Sequence, residues 1–176
     1  MMIGLDDPVG ATGAFHARIS RVAAGFDGPV AVLIARGEHL RRPLDSEFRI
    51  LTPVTGTEAS RRAAEVAVAV ARASGRRIAA LHVAGSRSAA SSPTRLQQEA
   101  ILKDVVALAE RYGTDVRTAV RIETTPEDAI LREVRRGRHD LIVMGVNRRP
   151  GEVLFFGNVA QAVLNATEAS VLFVAG

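Results

Sequence analysis

Residues 140–159 read DLIVMGVNRRPGEVLFFGNV. Leu141, Ile142, Val143 and Met144 form a short apolar run with two β-branched members, which favours a buried strand over a helix. Gly145 ends that strand, and a loop carrying Arg148, Arg149, Pro150 and Gly151 follows. Gly157 and Asn158 precede a helical pattern; Asn158 is placed to cap it, with Gln161 three residues on as the capping-box partner. The order is strand, glycine turn, basic loop, helix N-terminus. It suits phosphate, because the first N–H groups of a helix are unpaired and carry a partial positive charge. The plainer reading is an ordinary strand–loop–helix connection with glycine at its corners, since isolated glycine motifs are weak signals.

Working outward, the chain from Phe48 alternates regularly. Arg49–Val54 reads as a strand, and Thr57 caps a helix whose inward face is Ala63, Val66, Ala67 and Val70, with Gly75 as its stop. Arg77–Val83 is a second strand and Ser86–Ser92 a small-residue loop. Ser92 caps the next helix with Pro93 at its first position; Ile101, Val105 and Leu108 are its stripe, and Gly113 ends it. Val116, Thr118, Val120 and Ile122 alternate as in a half-exposed edge strand. Thr125-Pro126-Glu127-Asp128 opens a third helix, with Ile130, Leu131 and Val134 apolar and Gly137 as its stop. A helix at 158–166 and a last strand, Ser170–Val174, close the pattern.

Strands alternating with helices predict a doubly wound α/β fold, a five-stranded parallel sheet with helices on both faces and right-handed crossovers. The expected order is 3-2-1-4-5 within residues 46–176. That order reverses between the first and fourth strands, and open α/β sheets bind ligands at such a point, beyond the carboxyl ends of the strands. The loops there are Val54–Thr57 and Gly145–Gly157.

Residues 1–45 read as a strand–helix–strand half-module plus linker. Met1–Gly4 is a short strand, Phe15, Ile19, Val22 and Ala23 mark a helix, Asp27-Gly28-Pro29 a turn, and Val30–Ala35 a second strand. The linker holds Gly37, Arg41, Arg42 and Pro43. This unit parallels the chain's own end, MIGLDDP…ISRVAAGFDGPVAVLIARG against VMGVNRRP…VAQAVLNATEASVLFVAG. The identities are few and the alignment takes gaps, so the repeat is weak. Val171–Val174 lacks the lysine or proline that protects an exposed sheet edge. Val30–Ala35 is its expected antiparallel partner, within the chain or between two chains.

Composition narrows the function. The chain has 176 residues, 47% hydrophobic and 24% charged, as in a soluble globular protein, and no cysteine for disulfides or thiolate sites. No apolar run approaches the roughly 18 residues that span a membrane, and MMIGLDDPVG, with Asp6 and Asp7, does not read as a secretory signal. A cytoplasmic setting is the expectation. The net charge of +4 comes from arginines spread along the chain, and aromatics are 4%, which argues against nucleic acid. His82 and His139 have no companions at metal-ligand spacing, and Glu152 is a lone acid. No nucleophile–base pair is present, so no enzyme is expected.

LTPVTGTEASRRAAEVA, TTPEDAIL and above all HDLIVMGVNRRPGEVLFFGNVAQAVL resemble the universal stress protein family, over residues 46–176. The nucleotide-binding branch of that family carries glycine, two residues, glycine, nine residues, glycine, then Ser or Thr, with an Asp after the first strand. Here Gly145 matches the first glycine, Arg148 stands at the second, Gly157 matches the third after a gap one residue shorter, Asn158 replaces the hydroxyl residue, and Thr55 replaces the Asp. The resemblance implies that ATP or a related adenine nucleotide binds at Pro53, Val54, Thr55, Thr57, Val83, Met144, Gly145, Asn147, Arg148, Gly157, Asn158 and Val159. Arg148 and Arg149 would meet phosphate with charged donors, and Val83 would back the adenine. GVNRRPGEVLFFGN and PVTGTEASRRAAE are more similar to the modules at the cytoplasmic ends of sodium/proton and other cation/proton antiporters. That implies either a regulatory tail, with a membrane antiporter as partner, or a stand-alone relative of such tails; a homodimer through final-strand pairing is also expected. Against these stand plainer readings: Thr57 and Asn158 as helix caps, Val83 as core, the arginines as a solvated loop. The alternative function is a dimerisation and interaction module of the same fold that binds no nucleotide.

Overall fold

Strands buried on both faces of a parallel sheet read as unbroken apolar runs. In the computed structural model, which describes residues 15–25, 28–41, 48–84, 95–122, 124–147 and 157–176, such runs form β2 (Ile50–Val54), β3 (Ile78–Val83) and β5 (Leu141–Gly145). With β4 (Val116–Arg121) and β6 (Ser170–Ala175) they build a parallel sheet, β4-β3-β2-β5-β6. Counted from Ile50 this is the expected 3-2-1-4-5. The sheet differs from expectation in having six strands and being mixed: β1 (Val30–Ile34) pairs antiparallel with β6, from Val30 opposite Ala175 to Ile34 opposite Val171. The apolar edge of β6 is thus covered from within the same chain.

Helices α3 (Glu58–Ser74) and α4 (Arg95–Arg111) cover one face. Ala63, Ala67 and Ala71 of α3 pack there on Ile50, Ile78, Leu141 and Val143. The inward face of α3 is rotated from the expected one: Ser60, Ala64 and Val68 are buried, and Val66 and Val70 lie at its margin. Alanines let this helix lie close to the strands; Val68 is buried with them, while Val66 and Val70 stay at the flanks. On α4, Leu102 and Ala109 join Val105 in the core, while Ile101 and Leu108 stay half-buried.

The other face carries α5 (Pro126–Gly137), α6 (Gly157–Ala166) and α1 (Ala17–Ala24). Their Ile130, Val134, Val163, Leu164 and Ile19 enclose Leu51, Leu81, Ile142 and Phe173. Phe15 meets Phe173 edge-on, ring centroids 5.6 Å apart.

Several expected caps form. Thr57 and Thr125 accept from Ser60 N–H and Asp128 N–H, and Gly75 closes α3 at φ 65°. Two differ. The left-handed residue after α5 is Arg138, at φ 50°, and not Gly137. Gly137 serves space instead, since a Cβ on it would lie 2.2 Å from His139 Nε2. Helix α6 begins at Gly157, at φ 74°, so Asn158 lies inside the first turn and not ahead of it. Residues 36–41, expected as linker, include a short helix, α2 (Glu38–Arg41). The expected strand at Met1–Gly4, the Asp27 turn residue, Arg42–Pro43, the Ser86–Ser92 loop with its Ser92–Pro93 cap, and Arg148–Glu152 lie outside the described residues.

Segment 36–41 is fastened to the foot of β6. Arg36 N–H donates to Ser170 Oγ at 2.9 Å, and its guanidinium donates to Leu164 O at 2.7 Å and to Thr167 O. The buried His39 ring lies 2.9 Å from Ser170 Oγ and 3.8 Å from Asp140 Oδ1, with its centroid 4.7 Å from that of Phe48. Asp140 in turn accepts from Arg49 N–H at 2.7 Å.

Nearby, burial pushes His139 below its ordinary 6.5, although its contact with the Arg49 carbonyl works the other way. Below 6.5 the unfolded chain therefore binds a proton that the folded chain does not, and stability falls as pH drops through that window. Urea unfolding of His139→Gln at pH 5 and pH 7.5 is expected to show a smaller difference between the two pH values than the parent chain shows.

Candidate functional site

The order of the sheet reverses at β2 and β5, and their pairing stops early there. β2 is paired with β3 through Val54–His82, but with β5 only at Ile50–Leu141 and Leu51–Ile142. Thr52 Oγ1 then donates across to Val143 O at 3.2 Å. Pro53, which has no N–H to extend a ladder, follows. This is the carboxyl end of β2 and β5, the switch point of the sheet. The N-termini of α3 and α6 reach it from opposite faces of the sheet.

The structure brings most of the expected residues to this end. Pro53, Val54, Thr55 and Thr57 come from the end of β2 and its turn, Val83 from the end of β3. Met144, Gly145 and Asn147 come from the end of β5, and Gly157, Asn158 and Val159 from the start of α6. Thr55, Thr57, Asn147 and Asn158 are exposed; Val54 and Met144 are buried. Val83 and Val159 are half-buried against the core of the α5–α6 face. Arg148 lies outside the described residues.

Two of these positions have structural duties. A Cβ on Gly145 would sit 2.1 Å from Ala59 O and 2.7 Å from Ser60 N, so glycine is what lets the first turn of α3 lie against the strand end. The hydroxyls of the turn are engaged with one another. Thr55 Oγ1 lies 3.0 Å from Thr57 Oγ1, Ser60 Oγ donates to Thr57 O at 2.9 Å, and Thr55 N–H donates to Ser60 Oγ at 3.2 Å. Thr57 is a cap first, as the plainer reading had it.

Beyond the expected residues stand one that sequence reasoning weighs only as a metal ligand, His82, and two features it does not single out. His82 is buried on the α3–α4 side of β3; its Nδ1 lies 2.8 Å from Val54 O, and its Nε2 meets no partner among the described residues. Glu133, 1% exposed, holds Arg117 and Arg121 of β4 at 2.5 and 2.6 Å. A helical spacing that places Glu133 beside Ile130 and Val134 was the available signal. A groove of 680 Å³ runs between α3 and α4 from Val54 and Thr57, past Arg61 and Asp104, to Arg111. It starts at the end of β2 but is lined by none of Gly145, Asn147, Gly157 or Asn158.

The model of the Universal stress protein family matches residues 48–175. The chain belongs to the universal stress protein family. No curated protein matches the chain. Among solved structures, a universal stress protein from Archaeoglobus fulgidus superposes with a TM-score of 0.64 at 20% identity, over 73% of this chain and 99% of that one. A universal stress family protein from Arabidopsis thaliana with AMP bound gives 0.54 at 21%, over 73% and 92%. A second Archaeoglobus fulgidus universal stress protein gives 0.59 at 18%, over 82% of this chain and 48% of that one. At these identities the likeness establishes the fold. Among the described residues of this universal stress domain, no helix is long and apolar enough to cross a membrane.

Proposed function

We propose that the chain is a regulatory module that binds an adenine nucleotide, ATP or a relative of it, between the carboxyl ends of β2 and β5. The observation that carries this reading is the early end of the β2–β5 ladder at the point where the sheet order reverses, with two helix N-termini flanking it. Universal stress proteins of the same fold have been solved with AMP, dAMP and cAMP. Val83 backs the base, Asn147 and the turn at Thr55 flank the sugar, and the start of α6 with Arg148 receives phosphate. The module works by binding, not by catalysis, in the cytoplasm, as the stress-responsive tail of a cation/proton antiporter. The antiporter reading rests on the sequence resemblance alone.

ATP, AMP and cAMP at millimolar concentration are therefore expected to raise the melting temperature. A ligand at 100 times its Kd adds about 2.7 kcal/mol to stability. Arg148→Ala should keep the fold and lose about tenfold or more in ATP affinity, since a charge-assisted hydrogen bond contributes about 1.5–3 kcal/mol. Unchanged affinity would place the phosphates elsewhere.

The second reading is an interaction module that binds no nucleotide. It is favoured by one observation: Thr55, Thr57 and Ser60 satisfy one another at the place where an acidic residue would hold a ribose. Absence of stabilisation by all three nucleotides would select it.

A further inference from the structure

The N-terminal unit and the C-terminal unit are related by a local two-fold axis. Val32 and Phe173 stand 141 positions apart in sequence and opposite each other in the β1–β6 ladder. The same offset carries Val30 to Val171 and Ile34 to Ala175; Val30 pairs with Ala175 and Ile34 with Val171. Any antiparallel ladder maps onto itself in this way, so the ladder fixes only where such an axis would lie, through Val32 and Phe173, and the offset of 141 that the helices must then meet.

The helices obey the same offset. It carries α1 (Ala17–Ala24) onto 158–165, inside α6 (Gly157–Ala166), and the buried Ile19 and Ala23 onto the buried Ala160 and Leu164. Both helices lie on the same face of the sheet, so the axis is normal to it. The internal repeat therefore aligns without the gaps that sequence comparison had required. The longer Archaeoglobus fulgidus chain, of which this one covers 48%, matches 82% of the residues here, beyond the 73% matched by the other Archaeoglobus fulgidus structure.

We infer that residues 15–37 are a built-in replacement for the final helix and strand of a second module, and that they close the β6 edge in cis. The homodimer expected through final-strand pairing is then displaced at this edge by the chain's own N-terminal unit. The route between the two parts favours closure in cis. Arg36 and His39 are held at Ser170 and Asp140, and the His39 ring packs on Phe48, which leads directly into β2. Only residues 42–47 separate Arg41 from Phe48. An N-terminal unit exchanged between two chains would have to leave that corner and return to the same corner of a partner.

The absence of cysteine makes the arrangement directly readable. Leu33 and Leu172 face each other across the ladder, Leu33 exposed and Leu172 half-buried. The full-length double variant Leu33→Cys/Leu172→Cys, treated with a short bis-maleimide, is expected to cross-link within single chains, with a yield independent of protein concentration. Peptide mapping would join the two segments in a product of monomer mass. The two single variants, refolded together and treated alike, should give no joined pair. A dimer-mass product that joins position 33 of one chain to position 172 of another would overturn closure in cis. Absence of any joined pair in the double variant would overturn the occupation of the edge by β1.

Discussion

Gly145→Ala is expected to destabilise the protein by about 3 kcal/mol, at the upper end of what overpacking costs. The added methyl would stand 2.1 Å from the carbonyl oxygen of Ala59 and 2.3 Å from its carbonyl carbon. Both are backbone atoms of the first turn of α3, and no side chain can rotate away to make room. The helix must move, and it packs on β2, β5 and β6 together. For a domain of this size each kcal/mol lowers the melting temperature by about 2–4 °C, so a fall of about 10 °C follows. Gly75→Ala is the comparison. Gly75 has φ 65° and open space around its would-be Cβ, so only left-handed strain of about 1–2 kcal/mol applies. Thermal unfolding that finds the two variants equally mild would mean that α3 does not approach β5 as closely as described.

The second large effect concerns Glu133. Its carboxylate is buried, and its charge is met only by Arg117 and Arg121 among the groups that bond to it. Both arginine side chains are open to solvent, at 58% and 34%. Removing them together leaves a buried charge uncompensated, which costs about 3 kcal/mol, the lower end of the usual range because solvent reaches this site from the β4 side. Removing the acid instead leaves two solvated arginines, and a leucine in its place fills the volume, so Glu133→Leu should cost less than about 1 kcal/mol. Urea midpoints for Arg117→Ala/Arg121→Ala and for Glu133→Leu check the asymmetry. A double variant more stable than Glu133→Leu would contradict it.

Where local chemistry decides, the sequence is legible. The caps at Thr57 and Thr125, the proline opening α5, the stop at Gly75 and the five strands from Ile50 onward each follow from residues within a few positions. The parallel sheet follows from alternation and crossover rules; the order 3-2-1-4-5, which those rules do not fix, is the expectation that places the switch point before any side chain is known. What sequence misses is set by tertiary contact. Gly137 looks like a helix stop, yet its role is to admit the His139 ring. Gly145 reads as a ligand glycine, yet Ala59 of α3 also demands it. Val66 and Val70 look more apolar than Ala64 and Ser60, but the rotation of α3 on the sheet buries Ser60, Ala64 and Val68 and leaves those two valines at the margin. Helical spacing sets Glu133 beside Ile130 and Val134, but nothing near it in sequence reveals its two arginine partners on β4. At the site, position determines the candidates: the ends of β2, β3 and β5 and the start of α6.

An adenine nucleotide is proposed to bind between the carboxyl ends of β2 and β5. This is tested most directly by calorimetric titration of the full chain with ATP and with AMP, each also in the presence of the other. Saturable binding at one site per chain is predicted, with the two nucleotides competing and with affinity weakened in Arg148→Ala. No saturable heat from either nucleotide at millimolar concentration, together with an unchanged melting temperature, would contradict it.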